Sequence, residues 1–227
     1  MKKRLLITGG YGSGMITASL FEDINEISDE WIIEGFLTDI KKKGEYLGKY
    51  KVVGSTDEIK DYVNKGYYIS YTLHCTTKNK YERIQKFKAL NIPLEANATG
   101  IHPLAYISPS TKLGYGVIAL PYASTSFAPE IGNFVNLYPH SYIAHDSVIG
   151  DFSMLTAHSV VGARVKVGEG VHIGLNSSIR EDLIIGKYSI IGMGSVVTKN
   201  IDDNEIAAGN PAKIIGTNKM EKNEDTF

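Results

Sequence analysis

IAHDSVIGDFSMLTAHSVVGARVKVGEGVHIG, residues 143–174, repeats with a period of six. An aliphatic residue returns at Ile143, Ile149, Leu155, Val161, Val167 and Ile173, and glycine follows it at Gly150, Gly162, Gly168 and Gly174. Extended outward in the same phase, the aliphatic slot runs from Ile107 to Val197. It holds Ile, Leu or Val at fourteen of sixteen positions, Ala119 and Thr125 being the exceptions. The glycine slot is filled eight times, adding Gly114, Gly132, Gly186 and Gly192. A third slot, Thr111 through Ile201, is Ser, Thr, Ala or Val in thirteen of sixteen cases. Three slots that stay in phase without an insertion describe one structural unit repeated.

A period of six is neither the three-and-four spacing of an amphipathic helix nor the alternation of a single long strand. It predicts a solenoid of triangular coils, three hexads or about 18 residues per turn, with the aliphatic slot pointing inward. Sixteen hexads make a little over five coils. The glycine slot is expected to supply backbone freedom at the corners, where a side chain would be costly. The small third slot fits where the chain bends inward.

Residues 1–98 follow a different grammar. Arg4–Thr8 reads as a buried strand ending in the glycine loop Gly9-Gly10-Tyr11-Gly12-Ser13-Gly14, and Ile16, Leu20, Ile24 and Ile27 then recur at helical spacing. Further strands are expected at Trp31–Thr38, Val52–Gly54, Tyr67–Leu73 and Ile92–Leu94. Ser55-Thr56-Asp57 supplies a helix start, and a helix is expected over Asn79–Leu90. Strands alternating with helices imply a small parallel, Rossmann-like sheet. The expected organisation is an α/β domain over 1–98, an all-β parallel β-helix over 99–216 and a disordered tail over 217–227.

Composition narrows the functional classes. The formal net charge is -1, with 43% hydrophobic residues, so nothing broad attracts nucleic acid or an anionic membrane. The single cysteine, Cys75, excludes an intramolecular disulfide and a multi-cysteine metal site. The apolar runs are too short to span a bilayer and no signal-peptide pattern opens the sequence, so a cytoplasmic location is expected.

Four stretches carry a family resemblance: Leu6-Ile7-Thr8-Gly9-Gly10, Gly35-Phe36-Leu37-Thr38-Asp39, Ile143-Ala144-His145-Asp146-Ser147-Val148-Ile149-Gly150, and Ala208-Gly209-Asn210-Pro211-Ala212-Lys213. The chain resembles the hexapeptide-repeat, left-handed β-helix sugar acetyltransferases, in the branch of sialic-acid O-acetyltransferases and nucleotide-amino-sugar N-acetyltransferases. The resemblance implies an acetyl-CoA-dependent acyltransferase of polysaccharide biosynthesis, a homotrimer without a metal, acting on a nucleotide-activated amino sugar. O-acetylation of a sialic acid or related sugar is the alternative. By the same resemblance His145 is the general base and Asp146 orients or polarises its ring. An amine or hydroxyl attacking a thioester must lose a proton, and a neutral imidazole is suited to take it. The sequence departs from the better-known amino-sugar enzymes at Tyr138, Ala144 and Met154, which bears on the acceptor.

The resemblance also implies that coenzyme A lies in a groove between subunits. Asn210, Pro211 and Lys213 would stand at the last coil, with Lys213 toward the CoA phosphates. Amides near Ala163 and Gly192 would face the pantetheine, Ala163 lying 18 residues beyond His145. In the N-terminal domain the glycine loop is not the full dinucleotide fingerprint, because Met15 occupies the last glycine's place. Amides at a helix start can still hold a phosphate. Gly9, Gly10, Gly12 and Gly14 are therefore candidates for a nucleotide diphosphate, Asp39 for the base or ribose, and His74 for the same sheet edge. A remote rival is a γ-class carbonic-anhydrase-like zinc enzyme, suggested by His140, His145 and His158. A non-catalytic β-helix scaffold is a third reading.

Overall fold

In the computed structural model, which describes residues 2–72 and 79–218, the chain divides into two units between Pro103 and Leu104. The first unit runs β1 (Lys3–Thr8), α1 (Ser13–Ser28), β2 (Trp31–Leu37), β3 (Tyr46–Leu47), β4 (Tyr50–Gly54), α2 (Ile59–Asn64), β5 (Tyr68–Ser70) and α3 (Lys80–Ala89). Strand order is β3-β4-β2-β1-β5, parallel throughout except for the β3–β4 hairpin.

The centre of β1, Leu5-Leu6-Ile7, is continuously apolar because both of its faces are covered. Leu6 packs with Leu37, Ile59 and Ile69, and alternation sends the equally buried Leu5 and Ile7 to the opposite face. Ser55 starts the 3-10 turn Thr56–Glu58 with a capping box closed by Glu58, as the local sequence predicts.

The strand expected at Ile92–Leu94 does not form. Asn97 turns its side-chain amide back to the carbonyls of Pro93 and Leu94, at 3.1 Å each, and Leu94–Ala96 closes a 3-10 turn. Pro93 has no N–H to give a sheet ladder. The chain rejoins the sheet only at Asn97, which bridges in parallel to Ile69.

The second unit is a parallel β-helix. Two-residue strands recur every six residues from Lys112–Leu113 to Val196–Val197. Each pairs in parallel with the strand 18 residues further on, as Tyr142 and Ile143 do with Val160 and Val161. Three ladders result, one per face. The aliphatic residue of each strand fills the interior; Ile143, Leu155, Val161 and Ile173 are wholly buried. Ser147 and Ser153 of the small slot are also buried, and their hydroxyls donate to the carbonyls of Gly162 and Gly168 at 2.8 Å. Those bonds offset the cost of burying a hydroxyl.

The glycine slot has a different cause from the one expected. Left-handed backbone falls two residues later, at Phe134, His140, Asp146, Phe152, His158 and Arg164, with φ of 58, 60, 58, 58, 59 and 58°. Where glycine does occupy the slot, the next coil lies too close for a Cβ. A Cβ on Gly150 would lie 2.5 Å from the carbonyl carbon of Gly168, and one on Gly162 would lie 2.6 Å from the amide nitrogen of Glu181.

After the last full coil, Glu205–Gly209 continues beside Ile190 and Ile191, and Ala212–Thr217 returns antiparallel to it. The turn between them contains a cis Asn210–Pro211 peptide. Of the tail expected over 217–227, only Thr217 and Asn218 are described, and Thr217 is the last residue of a strand.

Candidate active site

One corner of the β-helix holds the candidate base His145. It follows the strand Tyr142–Ile143, and coil stacking extends it as two columns: Phe127, His145, Ala163 and Glu181, with Ala128, Asp146, Arg164 and Asp182 beside them. Backbone bonds stitch the columns together. The N–H of Asp146 donates to Phe127 O at 3.1 Å, that of Arg164 to His145 O at 3.0 Å, and that of Asp182 to Ala163 O at 3.0 Å.

His145 and Asp146 are adjacent in sequence, and an extended chain would point them apart. The left-handed turn at Asp146 brings them together, with His145 Nδ1 and Asp146 Oδ2 2.7 Å apart. An ionised carboxylate only accepts hydrogen bonds, so Nδ1–H is the donor. The neutral ring then keeps its lone pair on Nε2, where it can take a proton. Both side chains reach solvent, at 45% and 54% exposure.

One coil on, Arg164 grips Asp182 at two points: Nε to Oδ1 at 2.6 Å and a terminal nitrogen to Oδ2 at 2.7 Å. This bridge holds the Asp182 carboxyl below the ordinary carboxylate range and raises the guanidinium. Phe127, one coil before His145, is 68% exposed. Sequence reading missed Phe127, Arg164 and Asp182. The 18-residue step that located Ala163 would have found all three.

The residues expected at the coenzyme are arranged as follows. The Ala163 N–H has no backbone partner among the described residues. Gly192 donates its own N–H to Ala207 O at 2.8 Å, so it contributes a missing Cβ rather than a free amide. Asn210 and Pro211 form the terminal turn, and Lys213 is exposed on the returning strand.

His140 and His158 occupy another corner of the prism, in a column with Tyr122. The rings stack, with centroids 4.9 Å apart for Tyr122–His140 and 4.7 Å for His140–His158, and planes within 12°. Nitrogen lone pairs lie in the ring plane, so those of two parallel rings run side by side and do not converge on one ion. No group of three metal-ligating side chains occurs among the described residues.

In the first unit, Gly9 and Gly14 answer to internal packing. A Cβ on Gly9 would lie 2.7 Å from Thr72 Oγ1, and one on Gly14 would lie 2.9 Å from Phe36. Gly10 faces only the tip of Ile40, and Gly12 is exposed at the start of α1. These glycines and Asp39 thus lie together at the carboxyl ends of β1 and β2, the edge where open α/β sheets hold ligands. Asp39 already has protein partners, accepting from Thr56 N at 2.9 Å and Thr56 Oγ1 at 2.5 Å. His74 lies outside the described residues.

A family model, bacterial transferase hexapeptide (six repeats), matches residues 164–199. The β-helix is a hexapeptide repeat. Most of the chain also overlays on solved acetyltransferases. The acetyltransferase domain of PglB from Neisseria gonorrhoeae FA1090 matches with TM-score 0.81 and 22% identity, over 94% of this chain and 100% of that one. The same domain in complex with acetyl coenzyme A matches at 0.80 and 23%, over 95% and 100%. A variant of GDP-perosamine N-acetyl transferase from Caulobacter crescentus, in complex with CoA and GDP-perosamine, matches at 0.76 and 23%, over 93% and 96%. These likenesses establish the fold, a small α/β unit followed by a left-handed hexapeptide β-helix. No curated protein is significantly similar in sequence. No helix among the described residues is long and apolar enough to cross a membrane.

Proposed function

We propose that this chain is an acetyl-CoA-dependent N-acetyltransferase acting on a nucleotide-linked amino sugar. The observation that carries the reading is the His145–Asp146 pair, joined at 2.7 Å on a corner of the hexapeptide β-helix with Nε2 left free. The overlay with a CoA- and GDP-perosamine-bound acetyltransferase along nearly the whole chain supports it. In the proposed reaction the sugar amine attacks the thioester carbonyl carbon, and His145 Nε2 takes the proton the amine sheds. The carbon–sulfur bond breaks, and the proton passes to the departing thiolate. Asp146 holds the ring and stabilises the imidazolium that forms.

Coenzyme A would lie along the Ala163 and Gly192 corners, with Asn210, Pro211 and Lys213 at the terminal turn, in a groove completed by a second subunit of a C3 trimer. Sedimentation equilibrium should return a trimer, and a fully active monomer would overturn the shared groove.

The acceptor is tested by offering a panel of nucleotide amino sugars with acetyl-CoA and following free thiol. Release above the hydrolytic background with at least one of them is expected. Release only with free sialic acids would move the assignment to O-acetylation. Calorimetric titration with UDP, GDP and dTDP should reveal one bound nucleotide, held by Gly10, Gly12 and Asp39. Binding of none would remove the nucleotide-linked acceptor while leaving acetyl transfer in place.

Asp39→Ala gives a double signature. It removes the acceptor for the Thr56 amide and hydroxyl, so stability should fall by about 1 kcal/mol, comparable to loss of a helix cap. The acceptor KM should rise with a smaller change in kcat, the pattern of lost ground-state binding. A fall in melting temperature with unchanged KM would confine Asp39 to a structural role.

A further inference from the structure

The corner column of the active site is a ladder of alternating charge: Asp146, Arg164 and Asp182, one per coil. Stacked coils hold such residues about 4.8 Å apart. Arg164 therefore has two carboxylates in reach, one on either side, and Asp146 contributes to the field at its guanidinium. It bonds only one of them. Both of its side-chain hydrogen bonds go to Asp182, and Asp146 is turned to His145 Nδ1 instead. A fork of this geometry satisfies a carboxylate at two points, which fixes the guanidinium more firmly than a single contact.

We propose that Asp182, by holding Arg164 in a two-point bridge, keeps the Asp146 carboxylate for His145 and so acts as a positioning residue of the active site. Without Asp182, Arg164 is free to turn to Asp146. With both Arg164 and Asp182 neutralised, Arg164 no longer competes with His145 for the Asp146 carboxylate. The inference rests on reading His145 as the base, but its geometric half concerns only this chain's own side chains.

Three variants test it. Asp182→Asn should lower kcat about three- to fivefold, within the range set by an exposed ion pair, with the KM for acetyl-CoA unchanged. Arg164→Gln added to it should return kcat to within about twofold of wild type. A purely structural bridge predicts that the double variant is no better than Asp182→Asn. That result, or an unchanged kcat in Asp182→Asn, overturns the proposal. A crystal structure of Asp182→Asn supplies the readout that does not depend on activity: Arg164 should move onto Asp146, and the Asp146–His145 bond should lengthen beyond hydrogen-bonding distance. If Asp146 stays on His145, the positioning role is wrong even where His145→Ala is inactive. If His145→Ala is fully active but Arg164 moves as expected, the geometry stands and only the base assignment fails.

Discussion

His145→Ala should lower the rate of acetyl transfer by about 100- to 10,000-fold, the usual worth of a positioned acid–base group. The expectation follows from one bond. Asp146 occupies Nδ1 at 2.7 Å, so the proton-accepting capacity of the ring is concentrated at Nε2. Acetyl-CoA affinity should barely change, because in the proposed reaction the imidazole serves the acceptor. His172→Ala provides the contrast: His172 belongs to the strand His172–Ile173 on a flat face of the prism, and its loss should leave turnover intact. Steady-state kinetics at saturating substrates, with acetyl-CoA binding measured separately, decides the matter. Near-wild-type turnover in His145→Ala would transfer suspicion to His140 or His158.

The second large effect is on stability and tests why the repeat contains glycine. Gly150→Ala inserts a Cβ 2.5 Å from the carbonyl carbon of Gly168 and 2.6 Å from the amide nitrogen of Glu169. Both atoms are backbone of the next coil and cannot rotate aside. Either the ladder bond from Gly150 N to Val167 O, now 2.8 Å, lengthens or the coil spacing opens locally. Overpacking of this kind costs about 1–3 kcal/mol, or several degrees in melting temperature for a chain of this size. Gly194→Asn is the matched control. Gly194 sits at φ +67° with nothing within 4 Å of an added Cβ, and Asn176 already occupies the same slot one coil earlier at φ 55°. Its melting temperature should stay within the small range typical of surface changes. Equal losses in the two variants would show that backbone conformation, and not coil-to-coil contact, selects glycine.

That distinction marks where sequence reading stopped short. Periodicity identified the slots but assigned the glycine slot the wrong cause, because close approach and left-handed backbone both select glycine. The left-handed slot is hidden in the sequence: Phe, His, Asp, Arg, Asn and Tyr all occupy it, so composition gives no sign of the conformation. In the first unit, Arg4–Thr8, Ser55 and Asn79–Leu90 announced their elements through local apolar pattern and capping. Ile92–Leu94 misled, because its turn is closed by the side chain of Asn97, outside the window being read.

The sequence by itself determined the six-residue period, the inward aliphatic slot and hence the three-faced β-helix, since side-chain direction repeats with the backbone that carries it. Through its family resemblance it also made His145 the candidate base. Only the tertiary structure decided what surrounds that histidine. Asp146 reaches its ring because the backbone turns left-handed between them, and Phe127, Arg164 and Asp182 join it because stacking places residues 18 apart side by side. Those contacts are made across coils, between positions that no local pattern relates.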